Sequence, residues 1–189
     1  MPRTSVAELR RGEIVDGAIR LIARAGYEAA TMRGLAAELE VSTGTITHWF
    51  ATKNQVLAAV LDELGDRFAA RIAAELEHAT TPREVLLALG DASVPDTPER
   101  ADDQRCWSEI AARAGRTPDL AERHRRLYDG WRRRMQKAVA EWDVDAAEWA
   151  RTYAALLDGL ALHVLLHPES VTPERMRAAI RAHLDTTLS

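Results

Sequence analysis

The sequence has little of several features that define whole classes of protein. One cysteine among 189 residues rules out an internal disulfide and therefore a disulfide-stapled fold. The longest apolar runs, such as ALHVLL at 161–166, are much shorter than the roughly 18 residues that a membrane-spanning helix needs. The stretch MPRTSVAELRR has no apolar run behind its arginines, so no secretory signal is expected. We predict a cytoplasmic protein that does not enter a membrane.

Patterns that carry catalysis are also missing. We find no nucleophile elbow, phosphate-binding loop, zinc-ligand cluster or suggestively spaced pair of carboxylates. His163 and His167 stand four residues apart with Asp158 in the same region, but no third close ligand is evident. Cys106, next to Trp107, is expected to be buried. No catalytic residue, metal site or cofactor is predicted, and the chain is not expected to be an enzyme.

An overall excess of positive charge is absent, and the charges are unevenly placed. The formal net charge of -4 argues against a protein coated in positive charge for binding polyanions. Residues 1–53 carry seven Arg or Lys and six Asp or Glu (+1), which leaves 18 and 23 (-5) for the rest. Any nucleic-acid surface is therefore expected in the N-terminal third.

Apolar residues recur at intervals of three and four, and alternation with period two is almost absent, so the chain is predicted to be all-α. Threonine-proline pairs each offer an N-cap followed by proline at the first helical position; they stand at 81–82, 97–98, 117–118 and 172–173. Thr81 with Glu84 and Thr52 with Gln55 form two predicted capping boxes.

About nine helices are predicted, and the segment 91–103, which contains two prolines, is predicted to be a polar loop. The seventh helix is expected to run from Pro118 to Trp142. The first three helices form a small N-terminal domain, residues 1–51, and residues 52–189 form a larger helical bundle. The eighth helix, at about 145–166, is apolar nearly all round in its second half, which predicts packing inside the chain on one side and against a partner on another.

The stretch VSTGTITHWF at 41–50 combines a core face with a surface face. On a helical wheel Ile46, Trp49 and Phe50 fall together. The opposite side carries small polar residues and a histidine, namely Thr43, Gly44, Thr47 and His48. An exposed glycine in a helix costs about 1 kcal/mol relative to alanine, which indicates a close approach to the backbone. Hydroxyl and imidazole groups suit base edges and phosphates, so this helix and the one before it predict a helix-turn-helix.

Residues 11–64 resemble the DNA-binding domain of the TetR (tetracycline-repressor) family of bacterial transcriptional regulators, most specifically in LAAELEVSTGTITHWFATKNQVL. The resemblance implies a homodimeric repressor that binds a palindromic operator in double-stranded DNA and is released by a small-molecule effector. The segment DGLALHVLL resembles the branch that includes the glycine-betaine synthesis repressor. The alternative is a helical interaction protein that retains the fold without binding DNA.

The resemblance also implies roles for individual residues. The DNA-binding set is Thr31, Arg33, Thr43, Gly44, Thr45, Thr47, His48, Trp49 and Lys53. Trp49 is expected to pack mainly in the core, with its indole N–H as a secondary donor to phosphate. The family often has a tyrosine where Thr47 stands, so a contact made by that tyrosine does not carry over. Arg3 either reaches an adjacent minor groove or belongs to an untethered terminus.

Two further sets lie in the larger domain. The family's effector pocket is enclosed by helices that here carry Phe68, Trp107, Tyr128, Trp131 and Met135. The competing interpretation is that these side chains are only core. The self-association surface is predicted to comprise Trp149, Tyr153, Leu157, Leu160, Val164, Ile180 and Leu184.

Overall fold

Helices are the only regular secondary structure in the part of the chain that the structure describes. The computed structural model describes residues 6–188, with side chains from residue 11 onward, so Arg3 lies outside the described residues. Within 6–188 there are nine α-helices and no strand, which confirms the all-α prediction. They are α1 (Val6–Ala25), α2 (Met32–Glu38), α3 (Thr43–Trp49), α4 (Lys53–Leu76), α5 (Pro82–Asp91), α6 (Pro98–Ala114), α7 (Pro118–Val139), α8 (Ala146–Leu166) and α9 (Pro173–Thr187). None of the helices in this range is long and apolar enough to cross a membrane.

The predicted caps begin several of these helices. The Thr81 hydroxyl accepts a hydrogen bond from the Glu84 N–H, and the Glu84 carboxylate accepts one from the Thr81 N–H, which completes the capping box of α5. At the start of α4, Thr52 accepts from the Gln55 N–H at 3.3 Å. The Gln55 side chain, however, accepts from the N–H of Ala51 at 2.7 Å and not from that of Thr52. Both arrangements satisfy backbone donors that a helix start otherwise leaves unpaired.

Two predicted boundaries are wrong. Residues 98–103, predicted as loop, belong to α6, because the Thr97 hydroxyl accepts from the Arg100 N–H at 3.2 Å and Pro98 supplies a preset first turn. The polar composition of this segment misled the prediction. The seventh helix ends at Val139, three residues before the predicted Trp142. The chain must turn there because the Asp145 carboxylate caps α8 by accepting from two backbone N–H groups at 3.0 Å.

The first of two compact units comprises the chain up to Leu64 and the segment from Asp102 to His124. Its core joins α1 to α4 with α6 through fully buried side chains, among them Ile22, Leu35, Ile46, Leu57 and Ile110. Each buried side chain of this size stabilises the fold by about 1.5–3 kcal/mol through removal of apolar surface from water. The helix-turn-helix is therefore built into a core that also includes part of α6.

The second unit comprises the segment from Gly65 to Ala101 and the chain from Arg125 onward. Its core is lined by α4, α5, α7, α8 and α9 and includes Leu86, Met135, Tyr153, Leu157 and Ile180, each almost fully buried. The Tyr153 hydroxyl donates to the Leu86 carbonyl at 3.0 Å, so the one polar group of this buried ring is satisfied.

Candidate nucleic-acid interface

The helix-turn-helix is formed by α2, α3 and the tight turn between them. Thr31 caps α2 by accepting from the Gly34 N–H at 2.9 Å. The turn passes through Glu40, whose φ of 54° places it in the left-handed region, and the Val41 N–H then bonds to the Ala36 carbonyl at 2.9 Å. This is a conformation in which many helices end, although glycine or asparagine usually occupies it. The sequence therefore carried no strong signal for the exact shape of this turn.

The start of α3 is held by two adjacent hydroxyl groups. Ser42 caps the helix by accepting from the Thr45 N–H at 3.1 Å, and its oxygen lies 3.0 Å from the Thr45 hydroxyl. Thr45 is partly buried and engaged in this cap. Thr45 is predicted to contact DNA, but its hydroxyl group already takes part in the cap at the start of α3.

The segment before α2 touches α2 closely. A Cβ atom at Gly34 would lie 2.2 Å from the Ala29 carbonyl oxygen, a backbone atom that has little freedom to move. Only glycine fits there without a shift of the chain. The position of α2 is thus tied directly to the turn that ends α1.

The two faces of α3 separate as the sequence predicts. Ile46 and Phe50 are buried in the first unit's core, and Trp49 packs partly buried against it. The exposed face comprises Thr43, Gly44, Thr47 and His48. His48 also meets the Trp49 ring edge to face, with centroids 5.2 Å apart.

The exposed face offers both polar atoms and open backbone. The Thr47 hydroxyl donates to the Gly44 carbonyl at 3.1 Å, so its proton is used inside the helix and its oxygen remains as an acceptor. A Cβ atom at Gly44 would meet only the Ser42 hydroxyl oxygen, at an ordinary contact distance of 3.5 Å. Packing within the protein therefore does not require a glycine at this position. Arg33 and Thr31 are also exposed, at the start of α2.

Lys53 is more constrained than the sequence indicates. It is partly buried at the start of α4, where its Nζ donates to the Tyr27 carbonyl at 3.0 Å and lies 4.0 Å from the centroid of the Tyr27 ring. Burial lowers the pKa of the ammonium from its usual value. An ammonium has three N–H donors, so two remain for another acceptor. Sequence reasoning did not identify Tyr27, because the two residues are 26 positions apart and no local pattern links them.

The predicted effector residues are divided between the two compact units. In the second unit Trp131 meets Phe68 and Tyr128 edge to face, at centroid distances of 5.4 and 5.7 Å, and Met135 is buried in the same core. We call Phe68, Tyr128, Trp131 and Met135 the aromatic cluster. Trp107 belongs to the first unit, where it stacks on His124 with centroids 4.5 Å apart.

Trp131 and Asp158, both in the second unit, have polar groups in environments that disfavour them. The indole N–H of Trp131 is buried, and it has no hydrogen-bond partner among the described residues. Burial also raises the pKa of Asp158, on α8, to about 7. Buried polar groups in native proteins are nearly always paired, so the Trp131 indole N–H is a candidate for contact with a bound molecule.

The predicted self-association surface requires a correction. Of its seven residues only Leu160 is partly exposed, and the other six are buried within this chain: Trp149, Tyr153, Leu157, Val164, Ile180 and Leu184. They pack between α8 and α9 and against α5; the Trp149 indole N–H, for example, donates to the Thr187 hydroxyl at 3.0 Å. The exposed apolar residues of α8 are Ala155, Gly159, Leu162 and Leu166, and the exposed polar residues Arg151, Thr152 and His163 lie on the same helix. The four apolar residues are treated as one surface, which we call the outer face of α8.

Metal-binding geometry is not present among the described residues. No group of three or more His, Cys, Asp or Glu side chains there could hold a metal ion. The His163 and His167 rings lie edge to face with centroids 5.5 Å apart, as expected for neighbours on one helical turn. Cys106 is buried in the first unit's core.

An exposed polar face on the second helix of a helix-turn-helix is typical of proteins that bind DNA through that helix. Residues 14–60 match the sequence profile described as bacterial regulatory proteins of the tetR family, and residues 82–189 match that of the C-terminal part of BetI-type transcriptional repressors. The chain therefore belongs to the TetR family. The two matching families and the similar curated proteins are transcriptional regulators and not enzymes.

Similar proteins cover nearly the whole chain. The regulator PksA of Bacillus subtilis is 29% identical over 98% of this chain and 93% of its own length. The regulator BetI of Burkholderia thailandensis is 31% identical over 86% of this chain and 85% of its own. A transcriptional regulator from Saccharomonospora viridis, crystallised in complex with choline, has a TM-score of 0.87 at 26% identity and covers 94% and 96% of the two chains.

Proposed function

We propose that this DNA-binding regulator is a homodimeric repressor that binds a palindromic operator and is released by a small-molecule effector. The observation that carries the proposal is the exposed face of α3, whose opposite side is buried in the first unit. A two-fold dimer presents two such helices to successive major grooves about 34–36 Å apart. It acts in the cytoplasm, where the chromosome is accessible.

The proposed contacts with DNA come from two sources. Thr43, Gly44, Thr47 and His48 meet base edges and phosphates from α3, with Thr45 and Trp49 at its margins. Thr31, Arg33 and Lys53 position the domain by contacting phosphate. For Lys53 the contact uses the two N–H donors that the Tyr27 carbonyl does not take.

The functional division of the chain differs from its division into compact units. We assign DNA binding to residues 1–51, and effector binding and dimerisation to residues 52–189. The first unit extends further and includes much of α6, because α6 contributes Cys106 and Ile110 to the same core.

Dimerisation is proposed through the outer face of α8, together with Leu160. Leu162 and Leu166 are exposed by 38% and 60%, and few other large apolar side chains among the described residues are as exposed. Small residues at Ala155 and Gly159 allow another helix to approach closely. Apolar exposure of this kind typically marks a surface that meets a partner.

The proposed effector site is the aromatic cluster, with Asp158 as a candidate acidic partner. Aromatic faces and a carboxylate together favour a cationic small molecule such as a quaternary ammonium. The similar regulator from Saccharomonospora viridis binds choline, which supports this class. Trp107 belongs to the first unit, and its effector role stays a prediction from the family resemblance.

Binding of the protein to its own upstream DNA, measured by fluorescence anisotropy over a salt series, tests the main proposal. Affinity should fall steeply with salt, because each neutralised phosphate contributes a slope of about -0.9 in log K against log salt. Lys53→Ala should weaken binding to every sequence and reduce the slope by about 1. Thr47→Val, which keeps the shape but removes the acceptor oxygen, should change the preference among operator variants.

Lys137→Ala is the matched control, because Lys137 is exposed on α7 and is not assigned to the interface. This variant should bind DNA like the wild type. Absence of any binding at low salt, specific or nonspecific, would favour the alternative function of a helical interaction protein that retains the fold.

Isothermal titration with choline chloride tests the effector class. Wild-type protein should bind choline and release DNA in its presence. Trp131→Phe should weaken choline binding more than Trp142→Phe does, because Trp142 lies beyond the end of α7 and is not assigned to the effector site. If millimolar choline neither binds nor releases DNA, the cationic class is wrong.

A further inference from the structure

The backbone N–H and carbonyl of Tyr27 are both bound by side chains from distant helices. The Glu109 carboxylate on α6 accepts from the Tyr27 N–H at 3.0 Å, and Lys53 on α4 donates to the Tyr27 carbonyl at 3.0 Å. The Lys53 ammonium also lies over the Tyr27 ring. A single residue of the turn after α1 therefore joins α6 to the start of α4.

Arg113 reinforces the attachment of α6 to the same turn. Its guanidinium lies 5.5 Å from the centroid of the Tyr27 ring and pairs with Glu28 at 3.4 Å. One turn of α6 thus binds two consecutive residues, Tyr27 and Glu28. Ile110, between Glu109 and Arg113, is fully buried in the first unit's core, so packing determines where this part of α6 lies.

The turn that contains Tyr27 and Glu28 is also in close contact with the helix-turn-helix. The Ala29 carbonyl, two residues after Tyr27, lies so near Gly34 that no side chain fits between them. The same carbonyl accepts from the Thr31 N–H at 2.7 Å, directly before α2. The turn after α1 is therefore in contact with α2 through Ala29, while Tyr27 itself contacts Lys53.

We propose that Glu109 is a positioning residue for DNA binding: it holds Tyr27, and through Tyr27 it keeps Lys53 oriented to contact a phosphate. Glu109 itself does not touch DNA. The inference rests on the proposed DNA binding and adds to it a residue of α6, far from the helix-turn-helix in sequence.

The direction of the change in DNA affinity distinguishes this positioning role from a purely electrostatic effect of the Glu109 charge. A carboxylate near DNA repels phosphate, so its removal alone should strengthen binding. Loss of the hydrogen bond between Glu109 and the Tyr27 N–H, which positions Lys53 through Tyr27, should weaken DNA binding instead. Glu109→Gln removes the charge but keeps an acceptor oxygen for the Tyr27 N–H, whereas Glu109→Ala removes both.

The test measures operator binding across a salt series for wild type, Glu109→Ala, Glu109→Gln and Glu99→Ala. Glu99 is an exposed control on the same helix with the same charge. Glu109→Ala should weaken binding about fivefold, as expected for loss of one hydrogen bond, and reduce the salt slope by about 1. Glu109→Gln should bind at least as well as wild type. In a Lys53→Ala background, Glu109→Ala should have little further effect.

Hydrogen exchange of the Tyr27 amide provides a measurement that needs no DNA. Exchange should be faster in Glu109→Ala than in wild type and near the wild-type rate in Glu109→Gln, with the circular dichroism spectrum unchanged in all variants. Unchanged exchange in Glu109→Ala would overturn the positioning role.

Two other results would also decide against the inference. Stronger DNA binding by both Glu109 variants would mean that charge alone is responsible. Additive losses in the double variant would mean that Glu109 acts independently of Lys53. If the wild type fails to bind DNA, the proposed function is wrong, and with it the role at DNA, while the exchange result still decides whether Glu109 holds the turn.

Discussion

The imidazole of His183 lies parallel to the ring of Tyr153, with centroids 5.6 Å apart and ring planes at 2°. Trp149 is the third ring of this group, 4.8 Å from Tyr153 and 5.9 Å from His183. Burial lowers the pKa of His183, and its Nε2 has no partner among the described residues. The packing between α8 and α9 therefore depends on a neutral imidazole.

Unfolding at different pH values tests this dependence. The folded-state pKa of His183 is below the usual 6.5, so the unfolded chain binds the proton more readily. The stabilisation is complete above pH 6.5 and is lost as pH falls through that value toward the lower folded pKa. His183→Phe keeps the ring stack and removes the titration, so its urea-unfolding free energy should fall less than that of the wild type between pH 7 and pH 5. Parallel losses in both proteins would contradict the prediction.

Asp158 should have the opposite pH dependence. Its pKa is raised from 3.8 in the unfolded reference to about 7 by burial, so the unfolded chain ionises first. The free energy of unfolding should therefore fall as pH rises from about 4 to 7, because over this range the unfolded chain loses the proton and the folded chain keeps it. Asp158→Asn should be more stable than wild type at pH 8, by about 1–2 kcal/mol after allowance for solvent screening, and similar to it at pH 4. Asp66→Asn, an exposed control on α4, should change little at either pH.

The two glycines of the helix-turn-helix should respond differently to alanine. Gly44→Ala meets no close atom and should stabilise α3 by about 0.5–1 kcal/mol, yet it should weaken operator binding if DNA approaches the backbone there. Gly34→Ala forces a Cβ against the Ala29 carbonyl and should destabilise the first unit by about 2 kcal/mol or more. Thermal unfolding and anisotropy measure both effects. Unimpaired DNA binding by Gly44→Ala would contradict a close approach at this position.

Sedimentation velocity tests the outer face of α8. Leu162→Glu with Leu166→Glu places two charges on an exposed apolar surface, which should convert a dimer into a monomer with little loss of monomer stability. Operator affinity should fall as well, since two half-sites are no longer bound together. Lys137→Glu, an exposed change on α7, serves as the control. A dimer that persists in the double variant would locate the interface elsewhere.

Much of the fold could be read from local patterns. Threonine caps at Thr81 and Thr172 begin their helices as predicted, since a cap depends on residues three positions apart. The two faces of α3 were also predictable, because the helical repeat alone separates Ile46 from Thr47. The start of α6 was misjudged only where polar composition was given more weight than the Thr97-Pro98 signal.

The candidate sites were predicted less completely, because they depend on which helices meet. Six residues assigned to a partner surface are buried in the second unit's core within their own chain, and Trp107 belongs to the first unit whereas the aromatic cluster belongs to the second. An apolar stripe shows that a helix face is covered but does not show what covers it.

The sequence by itself determined the helices, their caps, the polar face of α3 and the resemblance to TetR regulators, because each of these follows from residues close together along the chain. Only the tertiary structure decided which side of α8 is left exposed and how Lys53 is held. The hydrogen bond from Tyr27 to Glu109 spans 82 positions. A contact over that distance is created by the packing of α6 into the first unit's core, and no local periodicity encodes it.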